Sequence, residues 1–502
     1  MDTTEETDSR QRRRRPIDKV NYDFFYRPLN LEESNDNGWE LANPVDTTTG
    51  LWYDRDASVS KSGADWADLM TTFMDHGYEK SLGLTTTSKH PLLMVERSYN
   101  PPPIRQQALE IAMEEMDVPA VFFARDATLA CYACGRTTST VVDIGYSGTT
   151  VTPVYEGYVE QKGIRRSPVG SKAMDELALE HLQSLAKGGL VPTMHHVKYP
   201  KASRSDAFHN LAQLHVAMDC REAGAGQGVP SAASKTLHVP SISYSLPDGQ
   251  TVDVPSLNRF EVADFVMGKP QTEEEAAAGN SSSSKESLKV NQRRQEATNA
   301  VQKAYSEYIT AASHEHDNED EDEDGKEQAK KYSDAAAVGI SSRRTKRGAA
   351  AAAKPKGKTP KPKEGLFNNT VLQKACASYL QAQTEFLTSA PIASMVCDAS
   401  FRCDRDQQAA LLGNVVLGGG GACIGPTDQA VPDLLRDQME SIIHTHTPGW
   451  RVKMLSPGMQ ERSICSWLGG SILGSLGTFH EMWITKKEYE EWGCAIVNRK
   501  CP

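Results

Sequence analysis

Residues 119–158 read PAVFFARDATLACYACGRTTSTVVDIGYSGTTVTPVYEGY, and their order decides the fold class. An apolar run of strand length, PAVFFA, leads into the helix-forming DATLACYAC. The strand-like TVVDIG, a glycine-serine turn (YSGTT) and a further strand-like run, VTPVYEGY, follow. Buried strand, helix, strand, tight turn and strand in succession is the pattern of an α/β domain. Cys131 and Cys134 stand at i, i+3 inside the helical part. A redox Cys-x-x-Cys pair belongs at a helix start after a strand, so two buried structural thiols are expected instead.

Toward the N-terminus, HPLLMV (90–95) reads as a short buried strand, and Asn100 with Pro101 to Pro103 separates it from a helix running to about Met116. From Asp65, the residues Trp66, Leu69, Met70, Phe73 and Met74 have the spacing of an amphipathic helix. The first 16 residues are polar and carry Arg12 to Arg15, either a solubilising tail or a nuclear-import or polyanion-contact signal. Toward the C-terminus, residues 271–363 change character. Glu315 to Asp324 holds eight acids in ten positions, and Arg343 to Lys363 holds nine basic residues among Ala, Gly, Pro and Thr. Like-charge blocks repel themselves, so a disordered insertion is expected, with one helical face (Ala297, Val301, Ala304, Tyr305, Tyr308) able to dock.

Beyond the insertion, NVVLGGGGACIG (414–425) joins a buried strand to four glycines. Such a run serves either as a flexible turn or as a surface that a phosphate or ribose approaches closely. Ile472, Leu476, Phe479 and Trp483 then repeat at i, i+4, i+7, i+11, which predicts the core-facing stripe of one helix. No apolar run approaches the ~18 residues of a membrane span, which excludes an integral helical membrane protein and predicts a soluble one. The 502 residues, net charge of −11 and 38% hydrophobic content fit a large folded unit with an unpacked part. Ten scattered cysteines without an apolar leader suggest a reducing compartment.

SWLGGSILGSLGTFHEMWITKKEYEEWG (466–493) and the closing RKCP resemble the C-terminal segment of actin and the actin-related proteins. Residues 119–158 resemble that superfamily's second phosphate loop, SLPDGQTVDV (245–254) its later hairpin, and NVVLGGGG its adenosine-side glycine motif. YVEQKGIRRSP (158–168) and RKCP are closer to a nuclear branch, the fourth-type actin-related proteins, than to filament-forming actin. The resemblance implies an actin-like, two-lobed α/β fold with a central cleft that holds ATP and a divalent cation. It also implies a division into a basic tail (1–20), a partial first lobe (21–170), a second lobe (171–270 and 364–460) interrupted by the insertion (271–363), and a C-terminal segment returning to the first lobe (461–502).

Departures from the family pattern carry the functional expectation. Residues 1–50 hold no strand with a glycine-serine phosphate loop, so the first strands of one lobe are expected to be missing, through loss of an upstream exon or in the protein itself. Asp143 and Gly145 match the acidic and glycine positions of the second phosphate loop. Tyr146 replaces a second acid, and Asp126 stands where actin has a glutamine beside the attacking water, which argues against hydrolysis. Asn210 and Leu211 replace a Lys-Glu pair, Ile424 an aromatic residue and Ser463 a lysine, leaving chiefly Gly419 and Gly420 on the adenosine side. Accordingly no catalytic or metal-ligating residue is assigned, no cofactor is required, and ATP with magnesium is expected to bind weakly or not at all.

Tyr132, Gly135, Thr137, Leu473, Leu476, Thr478 and Met482 match positions where actin accepts partner helices. The family implies a non-catalytic nuclear subunit of chromatin-remodelling and histone-acetyltransferase complexes. Its expected partners are a helical scaffold segment of a remodelling ATPase, nuclear actin, and histones or nucleosomes. The alternatives are an ATP-binding or ATP-hydrolysing member of the superfamily and a cytoskeletal filament former.

Overall fold

Strand β1 (Leu92–Glu96) and strand β2 (Ala120–Arg125) pair in parallel, with Glu96 opposite Arg125. Their crossover is α1 (Pro102–Glu110), whose prolines sit in the first turn where a missing N–H is no loss, extended by a π-helical turn at Ile111–Glu115. The computed structural model describes residues 45, 50–51, 72–78, 82–84, 87–191, 206–223, 241–267, 391–425 and 427–501. The Arg12–Arg15 tract, residues 66–70 and the insertion at 271–363 lie outside them. Of the helix expected from Asp65, residues 72–76 are helical within the described part.

Helix α2 (Asp126–Ala133) begins at the residue after β2 and carries the chain to a second sheet. That sheet starts with β3 (Ser139–Ile144), β4 (Thr149–Tyr155), β5 (Tyr158–Val159) and β6 (Arg165–Ser167). At the β3–β4 turn a Cβ on Gly148 would lie 2.3 Å from the Ser167 carbonyl oxygen, so only glycine fits. Helices α3 (Ser171–Leu185) and α4 (Asp206–Ala223), a separate hairpin of β7 (Ile242–Ser245) and β8 (Thr251–Val254), and α5 (Ser256–Met267) follow.

The chain is described again from α6 (Ile392–Phe401), then α7 (Arg405–Leu412), opened by an Asp404–Gln407 capping box. Strand β9 (Val415–Gly418), helix α8 (Ala430–His446) and strand β10 (Met454–Leu455) complete the second sheet, in the order β10-β9-β3-β4-β5 with β6 on β4. Val431, Leu435, Met439 and Ile443 form one face of α8 and pack with Val142, Ile144, Val415 and Leu417 in the second lobe's core.

The last segment contributes α9 (Met459–Ser463), α10 (Cys465–Gly474), β11 (Ile484–Thr485), α11 (Lys486–Trp492) and α12 (Val497–Lys500). Strand β11 runs antiparallel to β2, so this segment closes the first sheet in the order β1-β2-β11. Phe122, Phe123, Leu129, Phe479, Ile484 and Val497 form the first lobe's core, with Phe479 edge-on to Phe122 at 5.1 Å. A smaller cluster of Ala127, Cys131, Val141, Val154, Val416 and Cys465 joins the two lobes where α2 and α10 cross. Among the described residues no helix is long and apolar enough to cross a membrane.

Four expectations are corrected. Residues 139–167 (β3 to β6), expected within the first lobe (21–170), belong to the second lobe's sheet, because β3 pairs in parallel with β9. The stripe Ile472, Leu476, Phe479, Trp483 is not one helical face, because α10 ends at Gly474 and a 3₁₀ turn occupies Gly477–Glu481. Glycines at 474 and 477 interrupt the helix, so Phe479 is buried (1% exposed) whereas Ile472 (40%) and Leu476 (49%) face solvent. Leu473, assigned above to a partner groove, is instead 8% exposed and packs in the first lobe's core. Cys131 is buried as expected, with its Sγ 2.8 Å from Ser139 Oγ, but Cys134 ends α2 and is only half-buried.

Candidate functional site

The parallel registers bring charged residues to the same edge of both sheets. With Glu96 opposite Arg125, the next residues, Arg97 and Asp126, leave β1 and β2 side by side. In the second sheet Asp143 pairs with Gly418, so the phosphate-loop strand and the glycine run end together. Ligands of open α/β sheets bind at such carboxyl ends of strands.

Asp143, Gly145 and Gly419 do meet. A Cβ on Gly419 would lie 2.5 Å from Asp143 Oδ1 and 2.3 Å from the Ile144 carbonyl oxygen, and its φ of +91° also demands glycine. A Cβ on Gly145 would lie 3.7 Å from Asp143 Oδ2, whereas one on Gly420 would meet nothing within 4 Å. The loop is held from behind by Arg462, a fully buried arginine whose Nη1 donates to the Ala422 carbonyl at 2.7 Å and whose Nη2 donates to that of Asp428 at 2.7 Å. Burial lowers the Arg462 pKa from its ordinary value. The Arg462 carbonyl in turn accepts from the Gly419 N–H at 3.0 Å.

The residues that replace the family's adenosine contacts lie as follows. Ile424 is buried in the second lobe's core and offers no face to a base, and Asn210 is exposed on α4 beside a half-buried Leu211. The exposed Ser463 donates its hydroxyl to the Gln460 carbonyl at 2.8 Å.

Arg97 was not anticipated from the sequence. Its Nη1 donates to Asp143 Oδ2 at 2.8 Å and to Asp126 Oδ2 at 3.3 Å, joining the carboxylate at the start of α2 to one on β3. Burial acts to lower its pKa, but Tyr99, Asp143 and Asp126 outweigh burial and the net shift is upward, so it remains charged. Burial raises the Asp143 carboxyl, Arg97 opposes that by attraction, and Asp126 adds to the rise. The opposite Asp126 oxygen, Oδ1, accepts from Ser98 N at 2.9 Å, Ser98 Oγ at 2.5 Å and Ala127 N at 2.8 Å. That carboxylate therefore accepts on both oxygens. The family's divalent cation does not fit this arrangement, since a fixed positive charge already lies on the carboxylates that would face it. Among the described residues no group of three or more His, Cys, Asp or Glu side chains is placed to hold a metal ion. The signal that would have revealed Arg97 is its position one residue past a strand, beside a parallel strand also ending in charges.

The second surface lies below the cleft, where α10 crosses α2. Tyr132 is half-buried against the first lobe's core, and a Cβ on Gly157 would lie 3.0 Å from its hydroxyl. Gly135 and Thr137 are exposed, and the Thr137 carbonyl accepts from Gly157 N at 2.7 Å. Leu476, Thr478 and Met482 (37%) are exposed in the turn after α10, next to Ile472. Three large apolar side chains thus face solvent within eleven residues, with Leu473 behind them in the core.

Two lobes joined at α2 and α10, with a glycine-lined cleft between their sheets, define an actin-type protein. The actin family model matches residues 59–314 and 356–502, and the chain belongs to that family. It is similar to actin-related protein 4 of Oryza sativa subsp. indica, 27% identical over 456 residues, 87% of this chain and 76% of that protein. It is also similar to actin-related protein 4 of Arabidopsis thaliana, 26% identical over 455 residues (88% and 77%), and of Schizosaccharomyces pombe, 24% identical over 451 residues (86% and 82%).

Proposed function

We propose that this chain is a non-catalytic nuclear subunit of chromatin-remodelling and histone-acetyltransferase complexes. It holds a helical scaffold segment of a remodelling ATPase beside nuclear actin and contributes contacts to histones or nucleosomes. The observation that carries this reading is the solvent-facing apolar rim of Ile472, Leu476 and Met482 below a cleft whose carboxylates are already neutralised. A helix-binding groove needs apolar anchors and no chemistry, whereas phosphoryl transfer needs a positioned cation and water. Nuclear entry is assigned to the basic runs Arg12 to Arg15 and Arg343 to Lys363.

The test is Leu476→Asp, with purification from nuclear extract, identification of co-purifying subunits and circular dichroism of the same variant. Leu476 is exposed, so the fold should be retained, while a charge in a desolvated contact should deplete the remodelling ATPase and actin by about tenfold or more. Undiminished recovery of those subunits by a folded variant would overturn the groove assignment. Recovery of no chromatin proteins by the parent chain would overturn the function.

A further inference from the structure

We infer that Arg97 is a resident cation: its guanidinium takes the place of a divalent ion at the floor of the cleft. The inference does not depend on which partners the groove accepts. Two carboxylates from different elements, Asp126 at the start of α2 just past β2 and Asp143 on β3, converge on one nitrogen, Arg97 Nη1, at 3.3 and 2.8 Å. Two acids facing each other at a cleft floor are hard-oxygen ligands of the kind that hold magnesium or manganese, and left alone they repel one another. Arg97 removes that repulsion from within the chain, with a charge that does not titrate in the physiological range.

The arrangement is built. The β1–β2 register fixes the Arg97 backbone beside Asp126, three donors hold Asp126 Oδ1, and Gly419 leaves room for Asp143 Oδ1 only because it has no side chain. Asp126 is held by those donors, Asp143 Oδ2 is bonded to Arg97, and a divalent ion placed between the two carboxylates would lie against the guanidinium. The same contact ties the loop after β1 to β3, so the first lobe is bonded to the second across the cleft floor without a ligand.

The experiment removes the resident cation and looks for the ion it displaces. Mn²⁺ alone is titrated into the full-length parent, Arg97→Ala, and Arg97→Ala combined with Asp143→Asn, and followed by electron paramagnetic resonance. The acidic run at 315–324 gives a background common to all three, so the Asp143-dependent part is the readout. The parent should show none, and Arg97→Ala should gain one site at least about tenfold tighter than background, lost in the double variant. A folded Arg97→Ala protein without a new site would overturn the inference, as would an Asp143-dependent site already present in the parent. Arg97→Gln, which keeps the length and one amide donor, replaces Arg97→Ala if the latter does not fold. If neither variant folds, the parent against Asp143→Asn decides alone, since an Mn²⁺ site lost on that substitution refutes a resident cation and identical titrations support it.

Discussion

Gly469 and Gly470 are neighbours in α10, yet adding one methyl group to each should have opposite effects. A Cβ on Gly469 would stand 1.8 Å from the Leu129 carbonyl oxygen and 2.5 Å from its carbonyl carbon, both in the backbone of α2. Because contacts under 3.0 Å are essentially unknown for a Cβ, the helices must part by about 1.2 Å. They cannot do so freely: Ser466 Oγ donates to the Asp126 carbonyl at 3.2 Å, and Leu129 is fully buried. Overpacking against rigid backbone costs about 3 kcal/mol, the helix propensity of alanine returns about 1, and the net of about 2 kcal/mol lowers Tm by about 4–8 °C. A Cβ on Gly470 meets only side-chain ends, Leu93 Cδ2 at 3.2 Å and Leu129 Cδ1 at 3.6 Å, which can rotate away. There the propensity gain should dominate and Tm should hold or rise by about 2 °C. Thermal unfolding of Gly469→Ala and Gly470→Ala side by side checks this. A Gly469→Ala protein as stable as Gly470→Ala would refute the close helix crossing on which both lobes hinge.

Glu96→Ala should strand a buried cation, since Arg105 Nη2 lies 2.8 Å from Glu96 Oε1, Arg105 Nε donates to Oε2 at 2.9 Å, and both side chains are at most 5% exposed. Breaking such a pair costs about 3–5 kcal/mol, so a calorimetric Tm within 2 °C of the parent would contradict it. Glu488 gives the pH dependence: partial burial raises its carboxyl, but hydrogen bonds from Lys500 (2.6 Å) and from the Thr485 backbone and hydroxyl outweigh this and hold it below the ordinary value. A depressed carboxyl stabilises the fold above the unfolded value of about 4.3 and loses that contribution as pH falls through its lower folded value. The stability advantage over Glu488→Gln, about 1 kcal/mol at pH 7 for this partly exposed group, should therefore shrink as pH falls below about 4.3, and a constant or widening gap in Tm would be the contrary result.

Local sequence order determined a good deal about this protein. PAVFFA, TVVDIG and VTPVY are apolar or β-branched runs of strand length and form β2, β3 and β4, because such segments bury their side chains wherever the chain places them. SLPDGQTVDV carries its own turn and forms the β7–β8 hairpin, and the resemblance of the C-terminal segment pointed to the family. Gly419 was also legible, since a run of glycines after a strand has few uses. What lay beyond sequence was decided by contacts between distant segments. The spacing of Ile472, Leu476, Phe479 and Trp483 describes one helix, but burial depends on which surface is covered by α2 and β2, so Leu473 went inside and Leu476 out. Asp126 and Asp143 lie 29 and 46 positions from Arg97, and no local pattern relates the three. Their meeting is fixed by two strand registers in two different sheets and by the close approach of α10 to α2, and it is Coulomb attraction across that assembled floor, absent from any segment alone, that sets the charge of the cleft.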